Sequence, residues 1–484
     1  MRNLLLALIS LVVWLTTLIL PTGCANIIPP QGGPRDTIPP VLLKVSPADR
    51  STNVATNRLV FSFDEFVELQ NAQQAVIVSP LPAVPPTIEN KLKEVYVRLR
   101  DTLQPNTTYT IDFGNAIKDY NEGNVLKNFR YSFSTGDRLD SGRIKGKVVL
   151  AETGKIDTTL IVILHRSKAD SAIVNERPAY LTRLNGKGEF MFEQLPNRVF
   201  YLYALKDDGG LRRIIGDDQR VAFTNESVKP ADQPEPINLY AFDLKVKTAG
   251  LPAPTAPLPS PGIKGKPGGA AADRRLRYTN NLSEGKQDLL QPFELMTEQY
   301  LTRFDTAKIR VYTDSSFIPI PQYGLALDSS SRKISLVLPW KENTQYQVVI
   351  DKEALKDTLD RQLLKSDTIS FITRKKADYG KLSVRLRNLE TIARQLGLSE
   401  IKTQPILQLT INEFILASAP LGSDGQFKQE LFLPGTYEIR ILFDQNNNGR
   451  WDAGQLFPRK QPERVRLLER KITVKANWEN EFEF

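Results

Sequence analysis

The sequence predicts an all-β chain of tandem β-sandwich modules in the order A-B-linker-A′-B′. Short β-branched and aromatic runs recur between Pro, Asn and Gly clusters, two patterns repeat at a nearly constant offset, and one Pro/Gly/Ala stretch falls where the repeat places a junction. The 484 residues exceed what one compact core holds at roughly 100–200 residues per domain. Hydrophobic residues at 41% and charged residues at 25% are globular values, which argues against a wholly disordered chain or a polytopic membrane protein. One Cys and one His exclude an internal disulfide framework and a Cys/His zinc site.

Residues 1–23 read as an export signal: Arg2 precedes an apolar run from Leu4 to Leu20. The run ends at Pro21-Thr22-Gly23-Cys24, and Gly23-Cys24 resembles the bacterial lipobox, in which the signal is cut before Cys and the new N-terminal Cys is acylated. The resemblance implies lipidation at Cys24, palmitate included; an uncleaved transmembrane anchor is the competing reading, since the run approaches the ~20 residues that span a bilayer. Residues 24–37 carry Pro and Gly with little periodicity and read as a tether. Surface-going lipoproteins of the Bacteroidetes group carry acidic residues just after the lipid-bearing Cys. Their absence here implies, by resemblance, an outer-membrane lipoprotein facing the periplasm, with surface exposure left open.

The repeat sets the modules. Asn106-Thr107-Thr108-Tyr109 recurs as Asn343-Thr344-Gln345-Tyr346 at an offset of 237, and Ala116-Ile117-Lys118-Asp119 as Ala354-Leu355-Lys356-Asp357 at 238. Gly188-x-Phe190 recurs as Gly425-x-Phe427, Leu195-Pro196 as Leu433-Pro434, and Asp207 as Asp444. Module A then spans 38–137, B 138–248, the linker 249–273, A′ 274–377 and B′ 378–484. In A the runs Leu59–Phe63, Val76–Val78, Val95–Leu99, Thr108–Phe113 and Phe129–Phe133 read as strands. In B, Ile144–Val149, Leu160–Leu164, Phe190–Phe192 and Val199–Leu205 do the same, with Asn185-Gly186 as a hairpin signal. In A′, Leu289-Leu290-Gln291-Pro292-Phe293 stands where first strands are expected, so A′ reads as divergent. Leu389 to Leu398 is the best helical stretch.

Leu103-x-Pro105-Asn106-Thr107-x-Tyr109, Ile117-x-Asp119, Gly123-Asn124 and Phe133-Ser134-Thr135 make module A resemble the bacterial Ig-like domain of the S-layer-protein type. Gly188-x-Phe190 and Leu195-Pro196 make B resemble transthyretin-like or Cna-B-like sandwiches. The whole resembles a Bacteroidetes Ig-like-domain lipoprotein of unassigned function.

The sharpest local motif runs from Asp444 to Gln455. Oxygen donors Asp444, Asn446, Asn448 and Asp452 stand at loop positions 1, 3, 5 and 9, with Gly449 at 6 and Arg450 at 7 offering its carbonyl, the spacing that wraps a chain around Ca²⁺. Position 12, ordinarily a bidentate Glu, is Gln455, so any Ca²⁺ site is weak. The favoured alternative is an Asx turn with Trp451 covering the sandwich end. Asp207-Asp208-Gly209-Gly210 and Asp119 to Asn124 read as turns.

Catalysis has little to stand on: His165 ends an apolar strand with no nucleophile elbow beside it, and Asp64, Glu65 and Glu68 read as solvated surface before a glycosidase pair. The expectation is no enzyme and no firm cofactor. The formal charge of +9 falls to +8 once Arg2 leaves, and Arg274-Arg275-Leu276-Arg277 and Arg374-Lys375-Lys376 are short runs near junctions. Nucleic acid is not expected as a partner of an exported chain. Two functions fit: a scaffold or adaptor that pairs strand edges with another envelope protein, or a glycan-binding protein using Trp340, Trp451 or Trp478.

Overall fold

The structure, a computed structural model, describes residues 35–230, 235–245, 275–398, 401 and 404–484. Cys24, the signal run and the linker 249–273 lie outside them. The chain divides into two compact units after Leu139. Both are built almost wholly of β-sheet, as tandem Ig-like β-sandwich modules require.

The first unit is one sandwich. Leu42–Ser46, Arg58–Phe63, Glu94–Arg98 and Thr87–Lys91 lie side by side in that order, opposite Phe129–Ser134, Thr108–Gly114 and Ile77–Ser79; Val67–Leu69, Ile117–Asp119 and Val125–Leu126 form a small third sheet. Alternation drives this. Leu59, Phe61 and Phe63 point inward from one strand, and Ile111 and Phe113 from another. Phe61 takes Phe113 and Tyr131 edge-on, each with ring centroids at 5.1 Å.

The second unit repeats that plan. Tyr278–Asn280, Phe293–Thr297, Lys333–Val337 and Gly324–Leu327 take the places of the first sheet, and Asp367–Thr373, Gln345–Ile350 and Ile309–Thr313 those of the second. The early strands of A′ are therefore present. Leu289–Pro292 is the approach to a strand that begins at Phe293, and the inward alternation of Phe293 and Leu295, both buried, is what forms it.

Modules B and B′ repeat each other as closely. In B, Gly142–Leu150 pairs parallel to Ile237–Asp243 and antiparallel to Glu189–Leu195, while Leu160–His165 lies between Tyr180–Arg183 and Tyr201–Lys206. In B′, Gly380–Arg385 pairs parallel to Glu479–Glu483 and antiparallel to Gln426–Phe432, while Ile406–Ile411 lies between Phe414–Pro420 and Gly435–Phe443. The Asn185 turn closes as expected: Asn185 Oδ1 accepts from the N–H groups of Lys187 and Glu189, both at 2.9 Å. Leu389–Gln395 forms a short helix, and among the described residues no helix is long and apolar enough to cross a membrane.

Candidate functional site

The Asp444 loop closes on its own backbone. Asp444, buried, accepts from the N–H groups of Asn447 at 2.7 Å and Gly449 at 2.8 Å, with longer bonds from Asn446 and Asn448. Asn446 and Asn448 turn their amides onto Asp452 Oδ2, and Arg450 N donates to Asn448 Oδ1 at 2.8 Å. Glu463, far along the chain, locks the loop: its Oε1 accepts from Gln445 N at 2.7 Å and its Oε2 from Asp452 N at 3.1 Å. Burial raises the pKa of Glu463; its bonds from Gln445 and Asp452 pull the other way, and the Asp444 and Asp452 charges add to the rise. Trp451 packs on Ile406, Leu442 and Val465 and donates from Nε1 to Glu463 O at 2.8 Å. Each of these carboxylates meets N–H donors, the arrangement of an Asx-type turn. Sequence spacing alone did not show Glu463.

What the loop holds in place is the arm between Ala453 and Gln461, which lies on module B. Gly454 rests against the Phe242 ring, Arg459 sits over the rings of Tyr203 at 5.4 Å and Phe223 at 5.8 Å, and Gln461 Nε2 donates to Phe223 O at 2.9 Å. Arg459 also pairs with Asp170 at 2.9 Å. Beyond the arm, Val465 N donates to Ala151 O at 3.1 Å, and Lys155 reaches Glu413 and Glu438 at 3.1 and 3.3 Å. B and B′ are thereby stitched into one body. Phe242, Tyr203 and Phe223 are all buried, and the arm supplies part of their cover.

The two repeated modules differ at one strand edge. In B the edge strand Tyr180–Arg183 carries Tyr180 and Leu181, both buried. Both are terminal strands: Tyr180–Arg183 has its ladder only with Leu160–His165, and its counterpart in B′, Phe414–Pro420, only with Ile406–Ile411 among the described residues, so the difference lies in the side chains. Phe414, Ile415 and Leu416 are each about half exposed, and the whole strand is uncharged. It leaves a tight turn in which Asn412 and Glu413 both have positive φ, and Leu416 is the extra residue of a bulge, since Leu409 faces Ala417 while Thr410 faces Ile415. An apolar, uncharged, unpaired edge is a template for another strand. The run Phe414-Ile415-Leu416-Ala417-Ser418-Ala419, with no charge and no polar alternation, is the sequence signal that marks it.

The remaining candidates separate in space. His165 is buried, edge-on to Tyr203 at 5.7 Å, and neither ring nitrogen has a hydrogen-bond partner among the described residues. Asp64 accepts from Val41 N at 2.8 Å and Glu68 pairs with Lys118 at 3.2 Å, while the carboxylate oxygens of Glu65, Asp119 and Glu122 lie within 4.8 Å of one another. Asp207 accepts from Arg212 N at 3.0 Å as a turn residue. Trp340 donates to Gln291 O at 3.0 Å and packs on Tyr346, leaving Trp478 as the exposed indole of the three, under the Lys475 ammonium.

Residues 36–135 match the family model described as a bacterial Ig-like domain, which covers the sandwich of the first unit. No curated protein matches the chain. Among solved structures, the chain is similar to the Bacillus anthracis TIE protein at 10% identity, covering 94% of this chain and 75% of that one with a TM-score of 0.17. It is similar to BcpA, the major pilin subunit of Bacillus cereus, at 10% identity, covering 71% and 98% with a TM-score of 0.16. The N-terminal part of the bacterial S-layer protein SbsC matches at 14% identity over 34% of this chain, which spans 40% of that structure, with a TM-score of 0.16.

Proposed function

We propose that the protein is a non-enzymatic, lipid-anchored envelope scaffold that recruits another envelope protein by strand addition at Phe414–Pro420. The observation that carries this is the contrast in side-chain exposure between two equivalent terminal strands: Tyr180 and Leu181 are buried in B, whereas Phe414, Ile415 and Leu416 are exposed in B′. Main-chain hydrogen bonds along such an edge supply affinity, and the exposed side chains supply selectivity. The fitting occupant is an extended strand with apolar side chains and no charge opposite Phe414 to Ala419. The anchor is Cys24, acylated, on the periplasmic side of the outer membrane. Calcium has no part in this reading, and the Asp444 loop serves as a structural turn.

In-cell cross-linking followed by affinity purification tests it. The wild type should recover a defined partner, and Phe414→Lys with Ile415→Lys should lose it while the purified variant stays folded. Equal recovery from the variant would sink strand addition at this edge. Saturable retention on peptidoglycan or polysaccharide that survives the same substitutions would favour the glycan-binding alternative.

A further inference from the structure

The chain enters the Ig-like unit at one end and leaves it at the other. Four segments meet where it enters. Arg35 Nη2 donates to Glu122 O at 2.8 Å, Asn124 Nδ2 donates to Asp36 O and Ile38 O at 3.1 and 3.2 Å, Lys93 Nζ donates to Asp64 O at 2.6 Å, and Tyr120 N donates to Phe66 O at 2.9 Å. At the opposite end Asn53 N donates to Gly136 O at 2.8 Å, just before the chain departs. The tether end exposes Ile38, Val41, Phe66, Leu92 and Tyr120, each between 46% and 69%. Apolar residues scattered singly over a surface need no account, but five on loops that the same hydrogen bonds gather do.

The chain itself says what covers them. Cys24 stands eleven residues before Arg35, a reach of at most roughly 40 Å at ~3.5 Å per residue. On the reading of the protein as lipid-anchored, on which this inference rests, a bilayer is always within that distance of this end. The charges select the headgroup. Asp36, Asp64, Glu65 and Glu122 stand among the apolar loops and oppose a strongly anionic surface, whereas Arg35 and Lys93 are placed for phosphate. The Lys93 ammonium lies 5.7 Å from the Phe66 ring centroid, a cation–π distance, so this positive charge sits over the apolar patch itself. Tyr120 and Phe66 are the side-chain types that settle at a membrane interface.

We propose that this end of the Ig-like unit seats directly on a phosphatidylethanolamine-rich bilayer, with Ile38, Phe66, Leu92 and Tyr120 in the headgroup layer, lipid ammonium groups against the carboxylates, and lipid phosphates against Arg35 and Lys93. The tether then holds the unit upright at the membrane instead of letting it range freely.

The test uses the full acylated chain in liposomes of phosphatidylethanolamine and phosphatidylcholine, with a fluorophore on Leu92→Cys or, at the opposite end, on Ala55→Cys. Flotation is read first: a chain that does not float overturns the anchor, and the seating with it. In floating samples the label at position 92 should be several-fold less quenched by aqueous iodide, and several-fold more quenched by headgroup-level nitroxide lipid, than the label at 55. Equal quenching at the two positions overturns the seating and leaves the anchor standing. Adding Phe66→Ser and Tyr120→Ser, both at exposed sites, should restore iodide access at 92; undiminished protection would overturn the assigned contacts. Equal protection in pure phosphatidylglycerol liposomes would overturn the headgroup preference.

Discussion

The guanidinium of Arg464, on a strand of B′, lies 4.5 Å from the ring centroid of Tyr240 on a strand of B, and both groups bond the carbonyl of Leu396. Burial lowers the Arg464 pKa and raises that of Tyr240, so this contact is desolvated. Desolvated cation–π pairs contribute about 2 kcal/mol. Arg464→Ala should lower the free energy of unfolding by about that much, and a denaturant titration followed by Trp fluorescence reads it directly.

Gly454 makes a separate prediction. A Cβ there would stand 2.7 Å from the Phe242 ring and from Lys460 O, so Gly454→Ala forces the arm off module B. The expected loss is about 1–3 kcal/mol, the range for overpacking. Proteolysis should begin within the arm at lower protease than in the wild type; unchanged cleavage would mean the arm does not need this contact.

His165 should make the protein acid-labile. Burial holds the imidazole below its ordinary pKa, with the Glu176 charge opposing, and the Tyr203 ring faces it. The folded state thus binds fewer protons than the unfolded one. Stability is full above the unfolded value of about 6.5 and falls as pH drops through it toward the folded value. The denaturant midpoint should fall between about pH 7.5 and 5.5, and His165→Phe should flatten that fall; an unchanged slope would assign it to other groups.

At the Asp444 loop, Asp444→Ala removes the acceptor for four backbone N–H groups and should destabilise by roughly 3 kcal/mol, since charge-assisted bonds at a buried site are among the stronger ones. Millimolar Ca²⁺ should leave the melting temperature of the wild type unchanged. A calcium-dependent rise would assign the loop to the metal instead.

Asp119 and Asp357, equivalent in the repeat, are both buried. Burial alone would raise each pKa, but bonds from Gly123, Asn124 and Glu122 outweigh it at Asp119, and bonds from Arg361 and Leu359 at Asp357, so both are held low. Their contribution is present above the unfolded value of about 3.9 and is lost as pH falls through the folded value. Arg361→Ala should weaken the second unit by about 1–2 kcal/mol without touching Asp119, which domain-resolved hydrogen exchange can separate.

Strands such as Leu59–Phe63 and Thr108–Phe113 were legible because alternation and β-branching are local properties, and the helix at Leu389 likewise. The early strands of A′ were not, because Phe293–Thr297 follows an apolar approach that hides where alternation begins. Glu463 was invisible from the Asp444 spacing because it lies outside the motif, 18 residues from Gln445, and a partner beyond a local motif leaves no mark in its spacing. The edge at Phe414 lay in plain view as an uncharged run, yet an apolar run does not by itself tell a core strand from an open one.

The sequence by itself determined that the protein is a duplicated array of β-sandwiches, since repetition and alternation are written in residue order. The tertiary structure decided which apolar surfaces are consumed and which remain. The rings of Tyr203, Phe223 and Phe242 are covered in part by the arm from B′, while Phe414 to Leu416 and the loops around Leu92 are not. Whether an apolar side chain is core or contact depends on what the rest of the chain brings against it, and burial is a property of the folded whole.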